Sequence, residues 1–146
     1  MGFTMDANAE YLNYIYQNAK MGTDTIGQLL DIVKEKEFLE VLNSQYKEYE
    51  AIEKEAERLL KENGQEEKDI SLFQKVSAYI MINVKTLTDK SASHISEMLI
   101  QGSTMGVIDI IKNNRKYQGA HENIIQLGQR LLKFEENNIN ECKKFI

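Results

Sequence analysis

The chain has no proline and no tryptophan, and only one cysteine and two histidines in 146 residues. Without proline there is no obligatory helix breaker anywhere along it, and good helix formers such as Leu, Lys, Glu and Gln are abundant, so an all-α chain is expected. With Cys142 alone, no intramolecular disulfide can form and a cysteine-based zinc site is excluded. No segment approaches about 18 consecutive apolar residues, the length a membrane-spanning helix requires. The opening Met1-Gly2-Phe3-Thr4-Met5-Asp6 lacks the basic start and apolar run of a signal peptide. Gly2 has the placement for myristoylation, but Asp6 stands where Ser or Thr is wanted. A cytoplasmic protein without membrane association is expected. The net charge of −5 is spread over mixed-sign patterns, which argues against nucleic acid as a partner. A length of 146 residues suits one domain, 1–146.

What the chain does have is helical periodicity. From about Ala7 to Lys34, apolar or small residues recur at Tyr11, Ile15, Ala19, Gly22, Ile26, Leu29 and Val33, the spacing of one helix face. A second stripe runs through Phe38, Leu42, Tyr49, Ile52, Ala56 and Leu60 and ends at Asn63-Gly64, where glycine accepts the left-handed cap conformation. The short link between them makes an antiparallel pair. Gln65 to Lys68 reads as a loop and Asp69 as a cap for a third helix to about Leu87, carrying Phe73, Val76, Ile80 and Val84. The polar run from Thr88 to Ser93 favours caps over helix interiors and predicts a break. A fourth helix follows with Ile95, Met98, Leu99, Gly102, Gly106 and Ile110. A fifth begins near Gly119 and carries Ile124, Gly128, Leu131, Glu135, Ile139 and Cys142. No strand signal competes, and five amphipathic helices make a bundle.

Gly22 and Gly27 in the first helix are echoed by Gly102 and Gly106 in the fourth, with Gly22 and Gly102 80 residues apart. A glycine in a helix interior costs roughly 1 kcal/mol relative to alanine, so the echo predicts close backbone approach of the two helices. At the same offset Ile15 meets Ile95 and Leu30 meets Ile110, and at nearly the same offset Glu53 falls near Glu135. Internal duplication and simple helical periodicity both produce such a match. The Gly102-x-x-x-Gly106 spacing also occurs in membrane helix dimers, but its neighbours Gln101, Ser103 and Asp109 favour packing in a soluble bundle.

The order of hairpin, crossover helix and hairpin resembles the ferritin-like superfamily. The stretches from Ala19 to Lys34 and from Asp89 to Gly102 look like those of small ferritin-like proteins of spore-forming Firmicutes. The resemblance implies a ferritin-like four-helix bundle with an up-down-down-up core and one additional crossover helix, and a role linked to spores.

The di-metal site of that superfamily needs a glutamate from each of two helices and a Glu-x-x-His from each of the other two. This chain has no Glu-x-x-His: Glu53 is followed by Ala56 and Glu135 by Asn138. Glu10 and Asp24 in the first helix are not convincing mid-bundle ligands. No catalytic, cofactor-binding or metal-ligating residue is therefore assigned, and no cofactor is expected. His94 and Glu97 reverse the motif, but fit the first turn of a helix capped by Ser91 or Ser93. His121 and Glu122 open the last helix, where a carboxylate complements the dipole. Cys142 on an apolar stripe reads as a packed thiol. The tyrosines at 11, 14, 16, 46 and 49 read as core rings whose hydroxyls seek partners such as Asn18 or Gln45. Asn18, Gln45, Asn83, Gln101 and Gln129 are candidates for a polar cluster in the core.

The function expected is a non-catalytic, structural or protein-interaction role. The alternatives are a di-iron or di-manganese oxidase or peroxide-handling protein with atypical ligands among Glu53, Glu97, Glu135 and His94, and a helical adaptor for a partner helix. Leu12, Tyr14 and Tyr16 lie beyond the main stripe of the first helix and are the expected surface for a homodimer or a protein partner.

Overall fold

The computed structural model describes residues 2–65 and 74–146, with side chains described for 7–65 and 78–146. It contains five α-helices: α1 (Gly2–Leu30), α2 (Lys36–Glu62), α3 (Gln74–Lys85), α4 (Ala92–Lys116) and α5 (Glu122–Lys143), and no strand among the described residues. The loop expected at 66–68, the Asp69 cap and Phe73 lie outside the described residues, as does the side chain of Val76. No described helix is long and apolar enough to cross a membrane.

Local chemistry sets the helix ends. Asn63 caps α2 and Gly64 takes φ +69°, the left-handed geometry that Asn63-Gly64 predicts. The break between α3 and α4 falls where the polar run predicts it, and Ser91 Oγ accepts the His94 backbone N–H at 3.2 Å. A second donor at this end, the Ala92 N–H, is bonded at 2.7 Å by the Glu35 carboxylate from the α1–α2 turn. The fifth helix starts later than the pattern suggests, with His121 as N-cap; its backbone N–H donates to Asn8 Oδ1 at 3.0 Å.

The α1–α2 and α4–α5 pairs form the two extensive helix contacts, and α3 lies against α4 and α1. Between the hairpins, α2 runs antiparallel to α5. Phe38 meets Phe145 with ring centroids 4.9 Å apart, Tyr49 meets Phe134 at 4.7 Å, and Arg130 forks onto Glu48 at 2.8 and 2.9 Å. The N-terminal half of α1 meets the C-terminal end of α4. Tyr11 stacks on Tyr117 at 5.1 Å and its hydroxyl bonds Asn114, while the Tyr117 hydroxyl donates to Glu10 at 2.9 Å.

The core draws on all five helices, with Ile15, Leu42, Ile52, Ile95, Ile110 and Ile124 wholly enclosed. Each such side chain contributes roughly 1.5–3 kcal/mol relative to exposure. In α1 every residue from Tyr11 to Ile15 is buried, so this segment is enclosed all round and not along one stripe. That corrects the surface expected on it: Leu12 and Tyr14 are fully buried and cannot form a docking face, and Tyr16 is only half-buried.

Candidate functional site

The α5 stripe places Leu127, Leu131, Glu135, Asn138 and Cys142 at successive steps of three and four, so the helical period that buries the leucines also carries Glu135 inside. Glu135 is 3% exposed. Its Oε1 accepts the Tyr49 hydroxyl of α2 at 3.2 Å. Burial pushes the acid up to about 8, against the opposite pull of the Tyr49 hydrogen bond. The Tyr49 phenol is itself raised, first by burial and then by the Glu135 charge. At neutral pH the pair is therefore a protonated carboxyl beside a neutral phenol.

Glu135 and Tyr49 border a cavity of about 30 Å³ at mid-bundle. Met21, Ile26, Ile80 and Leu99 supply apolar wall, and Thr25 and Ser103 also line it. The remaining wall is glycine: Gly22, Gly102 and Gly106 all border the same space.

The glycine echo thus brings both helices to one cavity, but not through the expected backbone approach, since α1 and α4 are not among the extensively packed pairs. Each glycine instead makes room for a side chain. A Cβ at Gly22 would run into the Tyr49 ring, one at Gly102 would stand 2.6 Å from Ile80 Cδ1, and one at Gly106 would stand 3.1 Å from Glu135 Oε2. Gly27 differs, because a Cβ there meets only Tyr46, at an ordinary 3.5 Å.

Other polar groups continue the interior seam. Gln45 Nε2 points at Cys142 Sγ, 3.8 Å away, and burial raises the thiol to about 11, so Cys142 is a packed thiol. Asn18 approaches the Tyr14 hydroxyl and Asn138 the Tyr49 hydroxyl, yet neither amide completes a hydrogen bond of normal geometry. Tyr14 is raised by burial first, then by the charges of Asp109 and Glu135. The five-residue polar cluster expected in the core is only partly present. Asn18 and Gln45 are inside, Gln101 and Gln129 are exposed, and half-buried Asn83 bonds the Tyr79 carbonyl of its own helix at 2.7 Å.

The residues considered for metal chemistry are scattered. Glu97 is exposed and half-buried His94 sits in the capped first turn of α4. Glu10 holds Tyr117, Asp24 pairs with Lys20 at 3.1 Å, and His121 and Glu122 are exposed at the start of α5. Glu53 is half-buried with Oε1 enclosed and without a hydrogen bond. Among the described residues, no three His, Cys, Asp or Glu side chains converge in a group able to hold a metal ion.

Comparison with protein-family models, with curated proteins and with solved structures gives no match. The site therefore rests on its own chemistry. Sequence spacing does not reveal the Tyr49–Glu135 pair, whose members are 86 residues apart, or that Ile80 lines the same cavity. The usable signal is a glutamate on an apolar stripe, combined with glycines on two helices at matching depth.

Proposed function

We propose that the chain is a ferritin-like bundle without the di-metal site, serving a structural or protein-interaction role and not a catalytic one. One observation carries this reading. The two positions where the superfamily would place Glu-x-x-His hold Glu53-x-x-Ala56 and Glu135-x-x-Asn138, and Ala56, Glu135, Asn138 and Glu53 Oε1 are all enclosed. The register suits inward ligands, while the histidines are replaced by side chains that do not bind metal well. The helix directions support the same plan: two antiparallel hairpins, with α3 between them in sequence as the crossover of an up-down-down-up core. The kinship with small ferritin-like proteins of spore-forming Firmicutes, and a cytoplasmic setting, belong to this proposal.

Elemental analysis of protein produced in metal-replete medium tests it. The expected result is iron and manganese well below stoichiometric. Stoichiometric metal that disappears in the Glu53→Ala, Glu135→Ala double variant would overturn it in favour of a di-metal oxidase with atypical ligands. For the interaction role, Met81 and Ile82, adjacent on α3 and 52% and 61% exposed, are apolar side chains presented outward in place of Leu12 and Tyr14, with Ile108 of α4 and Ile146 also exposed. A homodimer through Met81 and Ile82 predicts a mass that rises with concentration in light scattering and falls back when both are changed to serine.

A further inference from the structure

The outer side of α4 differs from the outer sides of its neighbours. Every exposed residue of α2 and α5 is polar or charged, whereas α4 presents Ile108, 50% exposed, and has no charged residue between Glu97 and Asp109. On a helix of 3.6 residues per turn, Ile100, Thr104, Val107 and Ile111 stand about 140–200° around the axis from Gly102, the residue that faces Ile80 of α3. They therefore lie on the side turned away from the bundle. Thr104 is exposed there, and Ile100, Val107 and Ile111 are only half-buried. A helix with apolar residues on both sides has an inner partner and room for an outer one. The steps of four, three and four from Ile100 to Ile111 are those of a two-helix seam.

Charge on this face says what the outer partner is. Glu97 stands at one end of the seam and Lys112 and Arg115 at the other, all three exposed. The pattern is complementary to itself when reversed. An antiparallel second copy sets Ile100 opposite Ile111 and Thr104 opposite Val107, and brings Glu97 alongside Arg115 of the other helix. Twofold symmetry makes each of these contacts twice. A parallel copy would instead set Glu97 against Glu97 and Arg115 against Arg115, with like charges at both ends.

We propose that the outer face of α4 pairs two copies of this chain antiparallel about a twofold axis, through a seam of Ile100, Thr104, Val107 and Ile111 closed at each end by Glu97 and Arg115. The pairing rests on the interaction role proposed above and names its partner. One helix against one helix is a small interface beside those of stable complexes, so the dimer is weak and concentration-dependent, with a Kd on the order of 10–100 µM.

Sedimentation equilibrium of the full chain from about 5 to 500 µM tests it, with a monomer–dimer transition expected inside that range. Thr104→Lys, at an exposed position beside the axis, sets two like charges together and should weaken the dimer at least about tenfold, with helicity by circular dichroism unchanged. Glu97→Arg should weaken it several-fold. Glu97→Arg combined with Arg115→Glu should restore it to within about twofold, since the exchange recreates opposite charges only in the antiparallel arrangement. The Met81→Ser, Ile82→Ser variant separates this seam from one built on α3, and should dimerise as the parent does. A monomer throughout the range, a dimer indifferent to Thr104→Lys, or a charge exchange that does not restore pairing would overturn the proposal. Loss of the dimer in the α3 variant with retention in Thr104→Lys would also overturn it, while leaving the interaction role in place. Metal content enters none of these readouts, so the seam and the metal-free role stand or fall separately.

Discussion

Glu135 is a carboxyl whose burial is linked to pH. Below about pH 4.5, its ordinary value, it is protonated in both folded and unfolded chain and costs nothing by ionisation. Between there and about 8 only the unfolded chain ionises it freely, so this group makes stability fall as pH rises, and its effect levels off above that value. From 4.5 to 7 is 2.5 pH units, or about 3 kcal/mol at roughly 1.4 kcal/mol per unit. Glu135→Gln keeps an acceptor for the Tyr49 hydroxyl and removes the titration. Urea unfolding at pH 5, 7 and 9 should show the variant gaining on the parent as pH rises, with a flatter pH profile; a parallel profile would contradict the assignment. The position of Glu135 on the α5 stripe was legible in the sequence. Its partner was not, because helical spacing fixes a side chain's face and says nothing about which residue of another helix stands opposite.

At the scale of the element, the glycines divide by what they seat. The Tyr49 ring over Gly22 is held at its edge by Phe134 and at its hydroxyl by Glu135, so it has little freedom to retreat from a new methyl group. Gly22→Ala should therefore destabilise by about 1–3 kcal/mol despite the better helix propensity of alanine. Gly27→Ala meets only ordinary contact with half-buried Tyr46 and should stabilise by up to about 1 kcal/mol. Urea midpoints of the two variants should move in opposite directions. Helix existence, the Asn63-Gly64 stop and a serine cap at Ser91 or Ser93 were readable because they depend on local backbone chemistry, and the structure selects Ser91. The all-round burial of Tyr11 to Ile15 was not. A one-stripe template assumes that a helix packs on one side, and α1 is contacted by α2, α5 and α3 while its first turns also meet the end of α4.

For the whole molecule, the polar and aromatic ties between hairpins argue against independent units. Tyr49–Glu135 and Arg130–Glu48 bridge α2 and α5, and Phe38–Phe145 ties α2 to the residues just beyond α5; the Tyr49–Glu135 pair lies inside the core. Leu42→Ala, in a fully enclosed position of α2, should cost about 2–5 kcal/mol. Near-ultraviolet tyrosine signal and far-ultraviolet helicity should still fall together on urea addition, and separate transitions would show that the hairpins unfold apart. The hairpin order was legible from link lengths and stripes, whereas these ties depend on packing partners far apart in the chain.

The closed end where α1 meets the α4–α5 turn bears on how the molecule forms. Tyr11 to Asn114, Tyr117 to Glu10 and His121 to Asn8 join residues 103, 107 and 113 positions apart. Those contacts become available only after most of the chain has been gathered, so loop-closure entropy is lost before they contribute. For a chain built from helices, whose contacts are mostly local, these long-range ties raise the mean sequence separation of contacts, and slower folding is expected than for a bundle without them.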